Sequence, residues 1–451
     1  MSSTPFPISS SSLTGIVLNY VPPHKNEYHN FVSNQKFAYL DSFDLESGEL
    51  LEGAVVTYKT WGKLNANRDN CLVVCHALSG SSDIADWWGP LLGNGGAFDT
   101  SRYFIFCANV LGSPYGTTSS LGVNPRTGRA YGPEFPQSTI RDDVRLHKLV
   151  LNALGVSSIA AVVGGSMGGM LTLEWPLCTP EGYVKNIIPI STSVDHDAWG
   201  IAWAEAQRQC IYADPAFDEG YYIPTPSTQP AAGLAAARMV GMLTYRSSPS
   251  FNSRFGRGEG GNQEKDVNGA LTNGALVKET GKCKSGSNTS LSTVAKDFKA
   301  HSYLRYQGEK FVKRFDANCF IHLTRKMDHH DVTSGRLVPD LLGTFTRQEL
   351  LRKVFSKAPK NALVIGIDSD VLFRPEQQQE IVDALPEASL VMIPSAEGHD
   401  GFLLEFEILG PLIEEHLKKQ CPWVYEGAPL IVEDSTSEVR DSVFGEVESG
   451  W

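Results

Sequence analysis

In the stretch IAAVVGGSMGGM an apolar run breaks into glycines around one serine, and Gly164-Gly165-Ser166-Met167-Gly168 has the form G-x-S-x-G. Between a buried strand and a helix, this pattern makes a sharp turn that strains the serine backbone and lifts its hydroxyl out of a sheet. The glycines are needed because a Cβ at either flanking position would meet neighbouring backbone. The following helix turns its positive end toward the hydroxyl, where negative charge would develop. A serine of this kind becomes a nucleophile with a base and an orienting acid, which follow it in the order acid, then histidine, at the ends of later strands. LVIGIDSDVLF offers Asp368 and Asp370, which physics alone does not separate, and MIPSAEGHDGFL offers His399 in a loop between Gly398 and Asp400. A tetrahedral oxyanion needs two backbone N–H donors. Met167, just after the serine, supplies one, and Leu78, in the VVCHALSG loop after an earlier strand, is the candidate for the other. His76 in that loop reads as a packing residue.

These groups need a scaffold, and the chain spells one out. AVVTYKTWG alternates like a strand, whereas NCLVVCHAL, YFIFCANVLG, IAAVVGG, YVKNIIPIST, NALVIGIDSD and LVMIPSAEGHD carry short continuous apolar runs. Helical patterns separate the later ones. TIRDDVRLHKLVLNALG has Asp142 and Asp143 in its first turn and stops on Gly155, and MLTLEWPL reads as an amphipathic helix. Continuous apolar strands alternating with helices imply an α/β fold with a mostly parallel sheet covered on both faces. From about 195 to 343 the strand signal gives way to helices, among them one long pattern running HSYLRYQGEKFVKRFDANCFIHLTRKMD. The expected organisation is a flexible arm over 1–36, a core over 37–194 and 344–425, a helical lid over 195–343 and a polar tail over 426–451. Within the lid, 257–294 is rich in Gly, Asn, Ser, Thr and Lys and reads as a disordered loop.

Bulk properties narrow the classes. The 451 residues carry a net charge of −12 and no basic patch, which argues against a nucleic-acid partner. No apolar stretch approaches a membrane span, and the N-terminus lacks the features of a signal or transit peptide. The eight cysteines form no zinc-like CxxC pairs and read as free thiols of a reducing, cytoplasmic compartment. No bound cofactor or metal is expected.

Longer motifs are more specific than the fold. CHALSGSSDIADWWGPLLG, FDTSRYFIFCANVLGSPYG, YGPEFPQSTIRDDVRLH, VVGGSMGGMLTLEWPL, EAQRQCIYADP, GLAAARMVGMLTYRS and RFDANCFIHLTRKMDHHD together resemble the homoserine O-acetyltransferase family, and its fungal members in particular. The likeness runs from about 37 to 417, interrupted at 257–294. It implies an α/β-hydrolase core with a helical lid and selects Asp370, giving a triad of Ser166, Asp370 and His399. It further implies acetyl-CoA as co-substrate, L-homoserine as acceptor, a ping-pong mechanism and a homodimer. Arg238 would grip the substrate carboxylate, with Tyr245 and Asp400 lining the pocket. An arginine fork for a carboxylate and an acid for an ammonium suit an amino acid. The chain departs from the family at STSVDHDAWGIAW, where Asp195 and Asp197 stand in place of an arginine and a serine, and Gly200 in place of a cysteine. Two added acids put the acceptor in question and leave open another hydroxyl, as in deacetylcephalosporin C acetylation, or a plain esterase on the same fold. No glycine-rich phosphate loop marks a CoA site.

Overall fold

The computed structural model describes residues 15–23, 26–258, 298–337 and 344–430. Nine strands form one sheet: β1 (Ile16–Leu18), β2 (Lys36–Asp44), β3 (Leu50–Trp61), β4 (Cys71–Cys75), β5 (Phe104–Ala108), β6 (Ile159–Gly165), β7 (Ile187–Ile190), β8 (Leu363–Ile367) and β9 (Ser389–Ile393). Their order is β1-β2-β3-β5-β4-β6-β7-β8-β9. The first three pair antiparallel, and from β5 to β9 every neighbouring pair is parallel. The parallel strands β4 to β8 are buried along their whole length, which is why their sequences run apolar without alternation. Alternate residues still part to opposite faces. Val73, Phe106 and Val162 enter one core, while Leu72, Val74, Ile105 and Val163 enter the other.

The helices are α1 (Ile84–Trp87), α2 (Ile140–Ala153), α3 (Met167–Leu177), α4 (Ala198–Tyr212), α5 (Ala231–Tyr245), α6 (Ser248–Phe255), α7 (Lys299–Arg314), α8 (Ala317–Asp328), α9 (Arg347–Val354), α10 (Pro375–Ala384) and α11 (Phe406–Gln420). Helices α2, α3, α9 and α10 contribute to the first core, and α1 and α11 to the second. Helix α2 opens with a capping box in which Thr139 and Asp142 bond each other's backbone N–H, and it ends before Gly155 at φ 86°. Helices α4 to α8 form the lid. Among the described residues no helix is long and apolar enough to cross a membrane.

Several expectations are corrected. The arm is not loose from residue 15 on: Ile16–Leu18 pairs with β2, and Tyr28, in the 3-10 turn Glu27–Phe31, is wholly buried. Helix α3 is not amphipathic, since every residue from Met167 to Trp175 is buried. The long lid pattern is two helices, because Phe315 and Asp316 are extended and Asp316 caps α8 through Cys319 N. The expected disordered loop lies outside the described residues from 259 on. So does the tail beyond Leu430, whose N–H bonds Ser101 O at 2.8 Å.

Two buried ion pairs tie lid to core. Lys326 of α8 meets Asp143 of α2 at 2.5 Å, both fully buried, and also donates to Leu111 O. Burial lifts the Asp143 carboxyl to about 6, against the pull of Lys326. Glu174 of α3 receives Arg336 through both oxygens and Arg141 at 3.2 Å, while Arg141 also donates to Asp331 O. Burial alone would raise Glu174; the two arginines outweigh it and hold the carboxyl below its ordinary value.

Candidate active site

Ser166 joins β6 to α3 at φ 60° and ψ −124°, a conformation that costs a side-chain-bearing residue about 1–3 kcal/mol. Its surroundings over-determine it. Ser166 N donates to Ile190 O at 3.0 Å, and Ser166 O accepts from Gly169 N, Met170 N and Thr192 Oγ1. The glycines leave no choice: a Cβ at Gly164 would sit 2.4 Å from Gly168 O, and one at Gly168 2.1 Å from Cys75 O. Gly165 faces the ring of Phe402 just as closely. The Met167 amide opens α3 beside the serine.

The two candidate acids separate cleanly. Asp368 is exposed and accepts from Ser395 N in a turn. Asp370 is buried; its Oδ1 accepts from Leu372 N at 2.8 Å and Phe373 N at 2.9 Å, and its Oδ2 lies 2.7 Å from His399 Nδ1. The bond to a carboxylate puts the proton on Nδ1 and leaves Nε2 as an acceptor. His399 is not in an irregular loop. It is buried in the 3-10 turn Gly398–Leu403, with Phe373 and Phe402 each 5.2 Å away, ring to ring. Gly398, at φ 70°, lets that turn press against Ser247 N, where a Cβ would be 2.6 Å away.

The loop bearing Leu78 is held from two sides. His76 Nδ1 donates to Ala77 O at 2.8 Å and its Nε2 accepts from Val110 N, a structural role that burial reinforces by lowering the imidazole to about 4. From the lid, Arg314 donates to Ser79 O at 3.0 Å and to the Tyr115 hydroxyl. Arg314 was invisible to sequence reasoning, because its partners lie some two hundred residues away.

One cleft between lid and sheet is lined by Leu78, Ser166, Arg238, Tyr245, His399 and Asp400, so the predicted residues, Asp370 and Met167 included, gather in one place. Arg238 is no surface residue: it is 3% exposed, with Tyr245 stacked at 5.4 Å and Phe311 at 4.9 Å from its guanidinium carbon. Asp400 differs from the sequence reading in one respect. Buried Arg246, which follows α5, forms an ion pair with its Oδ2 at 2.8 Å and reaches Glu397 as well. Asp195 and Asp197 are absent from the cleft wall. Asp195 is paired through both oxygens with Arg347, and Asp197 caps α4 through Gly200 N and meets Arg374. Their neighbour His196 does line the cleft, and Gly200 makes room for it, since a Cβ there would lie 2.2 Å from His196 Nε2.

Comparison with known proteins bears on the fold and the family. Residues 70–406 match the alpha/beta hydrolase fold family. The homoserine O-acetyltransferase of Cryptococcus neoformans var. grubii is 44% identical, with 95% of this chain and 97% of that protein covered. Among solved structures, homoserine O-acetyltransferase from Bacillus anthracis superposes with TM-score 0.69 at 22% identity, covering 85% of this chain and 97% of that one. An acetylester hydrolase from Corynebacterium glutamicum gives 0.68 at 20% identity over 86% and 96%. At these identities the two structures speak for the fold, which transferase and hydrolase share. The fungal relative, alike over nearly the whole of both chains, goes further: the chain belongs to the homoserine O-acetyltransferase family of α/β-hydrolase-fold enzymes.

Proposed function

We propose that this enzyme moves an acetyl group from acetyl-CoA to the hydroxyl of L-homoserine through an acetyl-Ser166 intermediate. The observation that carries the reading is a buried Asp370–His399 pair facing the same cleft as a strained serine and a buried, aromatic-clamped arginine. In the first half-reaction His399 Nε2 takes the Ser166 proton as Oγ attacks the thioester carbonyl. The oxyanion is received by the Met167 and Leu78 amides. The C–S bond then breaks, and His399 returns the proton to the departing CoA thiolate. In the second half-reaction the homoserine hydroxyl gives its proton to His399 and attacks the acetyl carbonyl. Collapse frees Oγ, which recovers that proton, and O-acetyl-L-homoserine leaves. Asp370 holds the imidazole with Nδ1 protonated and stabilises the imidazolium.

Arg238 fits the acceptor carboxylate, because the stacked rings cover its faces and a carboxylate meets a guanidinium at its edge. The acidic pair that spoke for another alcohol is neutralised by Arg347 and Arg374 away from the cleft wall, which supports the amino acid. Incubation with acetyl-CoA alone should add one acetyl mass to the Ser166 peptide, and L-homoserine should then discharge it as O-acetylhomoserine. Discharge chiefly to water would favour an esterase, and an unlabelled Ser166 would remove the covalent route.

A further inference from the structure

Gln207 lies on α4 where that helix packs against α5. It is 6% exposed and lines the cleft. Its Nε2 donates to Trp203 O one turn back at 3.1 Å, which fixes the orientation of the amide. The other end, Oε1, is buried with no hydrogen-bond partner among the described residues. A buried acceptor left in this state costs about 1–3 kcal/mol, so a fold retains one where something else supplies the donor.

The surroundings say what kind of donor. Arg238, Gly241 and Tyr245 are spaced i, i+3 and i+7 on α5 and share one face. A Cβ at Gly241 would lie 3.1 Å from Gln207 Oε1 and 3.2 Å from Tyr245 Oη, so both oxygens border the bare glycine one turn from the arginine. In an α-amino acid whose carboxylate is held at Arg238, the ammonium is on the adjoining carbon and falls against this face. Asp400, the acid expected to receive it, already shares its charge with Arg246. A neutral amide oxygen accepts an ammonium N–H without adding a second buried charge.

We infer that Gln207 is a specificity-determining residue, its Oε1 accepting a hydrogen bond from the α-ammonium of the amino-acid acceptor. This deepens the acetyl-transfer reading and rests on it. The test uses the full chain and three readouts: kcat/KM for L-homoserine, the inhibition constant of 4-hydroxybutanoate as competitor for the acceptor site, and the burst of CoA released in the first turnover. 4-Hydroxybutanoate has the same carboxylate and hydroxyl and lacks the ammonium. Gln207→Met, close to isosteric, should lower kcat/KM for L-homoserine roughly 10- to 100-fold, the range for one hydrogen bond to a charged group. It should leave the inhibition constant and the burst within about twofold. Gly241→Ala places a methyl group between the two oxygens in a helix that gains from alanine, and should produce the same one-sided loss if the methionine variant does not fold. Equal weakening of both ligands would assign Gln207 to packing and overturn the inference. So would no change in either, or a slowed burst alone, which would direct Oε1 to an amide N–H of CoA. Wild-type protein that ignores L-homoserine would overturn the acetyl-transfer reading itself, and this one with it.

Discussion

Replacing Asp370 by asparagine isolates what the carboxylate does for His399. The two acceptor bonds from Leu372 N and Phe373 N converge on Oδ1, so the asparagine oxygen is held there and its NH2 takes the place of Oδ2. Two N–H groups cannot face each other at the 2.7 Å now separating Oδ2 from Nδ1. The imidazole must therefore present a bare Nδ1 and carry its proton on Nε2, where it can no longer accept one from Ser166. The same tautomer inversion in a serine-protease triad costs about 10⁴ in kcat, equivalent to about 5.5 kcal/mol in barrier height. Stability should hardly move, because both buried N–H groups keep an acceptor. Asp370→Ala makes the contrast: it strands those two donors at about 1–3 kcal/mol each and should lower the unfolding midpoint as well. The assay pairs first-turnover acetylation of Ser166 with urea unfolding. Activity of the Asp370→Asn variant within tenfold of wild type would refute the tautomer argument, and an asparagine variant as unstable as the alanine one would refute the account of the Oδ1 bonds.

Arg238→Gln should raise the apparent KM for L-homoserine by about 100-fold or more, in line with about 3–5 kcal/mol for unpairing a buried charge, and leave the CoA burst nearly unchanged; steady-state and first-turnover kinetics together check this. The double substitution Asp195→Asn with Asp197→Asn keeps the α4 cap, and the order of preference among homoserine, serine and a simple alcohol should not change. Gly168→Ala drives a methyl group into the Cys75 carbonyl and should cost about 3 kcal/mol or more, read as a lowered urea midpoint. Stability should also fall in mild acid. Burial lowers His76, His330 and His416 to about 4, His147 to about 3 and His322 well below its ordinary value. Groups depressed in the folded state stabilise above the unfolded pKa of about 6.5 and lose that contribution as pH falls toward 4. Asp143, raised to about 6, works in the opposite sense. Near pH 5 unfolding should take up a net of about four protons, a slope of about 5 kcal/mol per pH unit in urea titrations; a flat profile from pH 7 to 5 would refute it.

The elbow at Ser166 was legible because its cause is local: the strand, the glycines and the helix are contiguous in the chain. The parallel sheet was legible for a similar reason, since burial on both faces writes itself as an unbroken apolar run. Asp368 and Asp370 could not be told apart from sequence, because which of two carboxylates turns inward is settled by Leu372, Phe373 and His399 in three dimensions, and resemblance made the choice. Tyr28 went unread because three strand residues and one aromatic carry no periodicity; only pairing with β2 shows them to be structure. The break at Phe315 was passed over because apolar spacing continues across it, although Asp316 is of a residue type favoured at a helix N-cap and could have marked the start of α8. Asp195 and Asp197 looked like intruders because their arginines are 152 and 177 residues away.

The two ion pairs beneath the lid bear on how far this enzyme is modular. A lid that rested on the sheet through apolar contact alone could be exchanged or excised, and the exposed patch would be the only penalty. Here Asp143 and Glu174 belong to the sheet half of the molecule, yet Lys326 and Arg336 reach them from the lid half. Excision would leave Asp143 without Lys326 and reduce the two arginines on Glu174 to Arg141 alone. Lid and sheet should therefore melt as one cooperative unit, and the walls of α4 and α5 are open to editing where the anchoring residues of α8 and the segment after it are not.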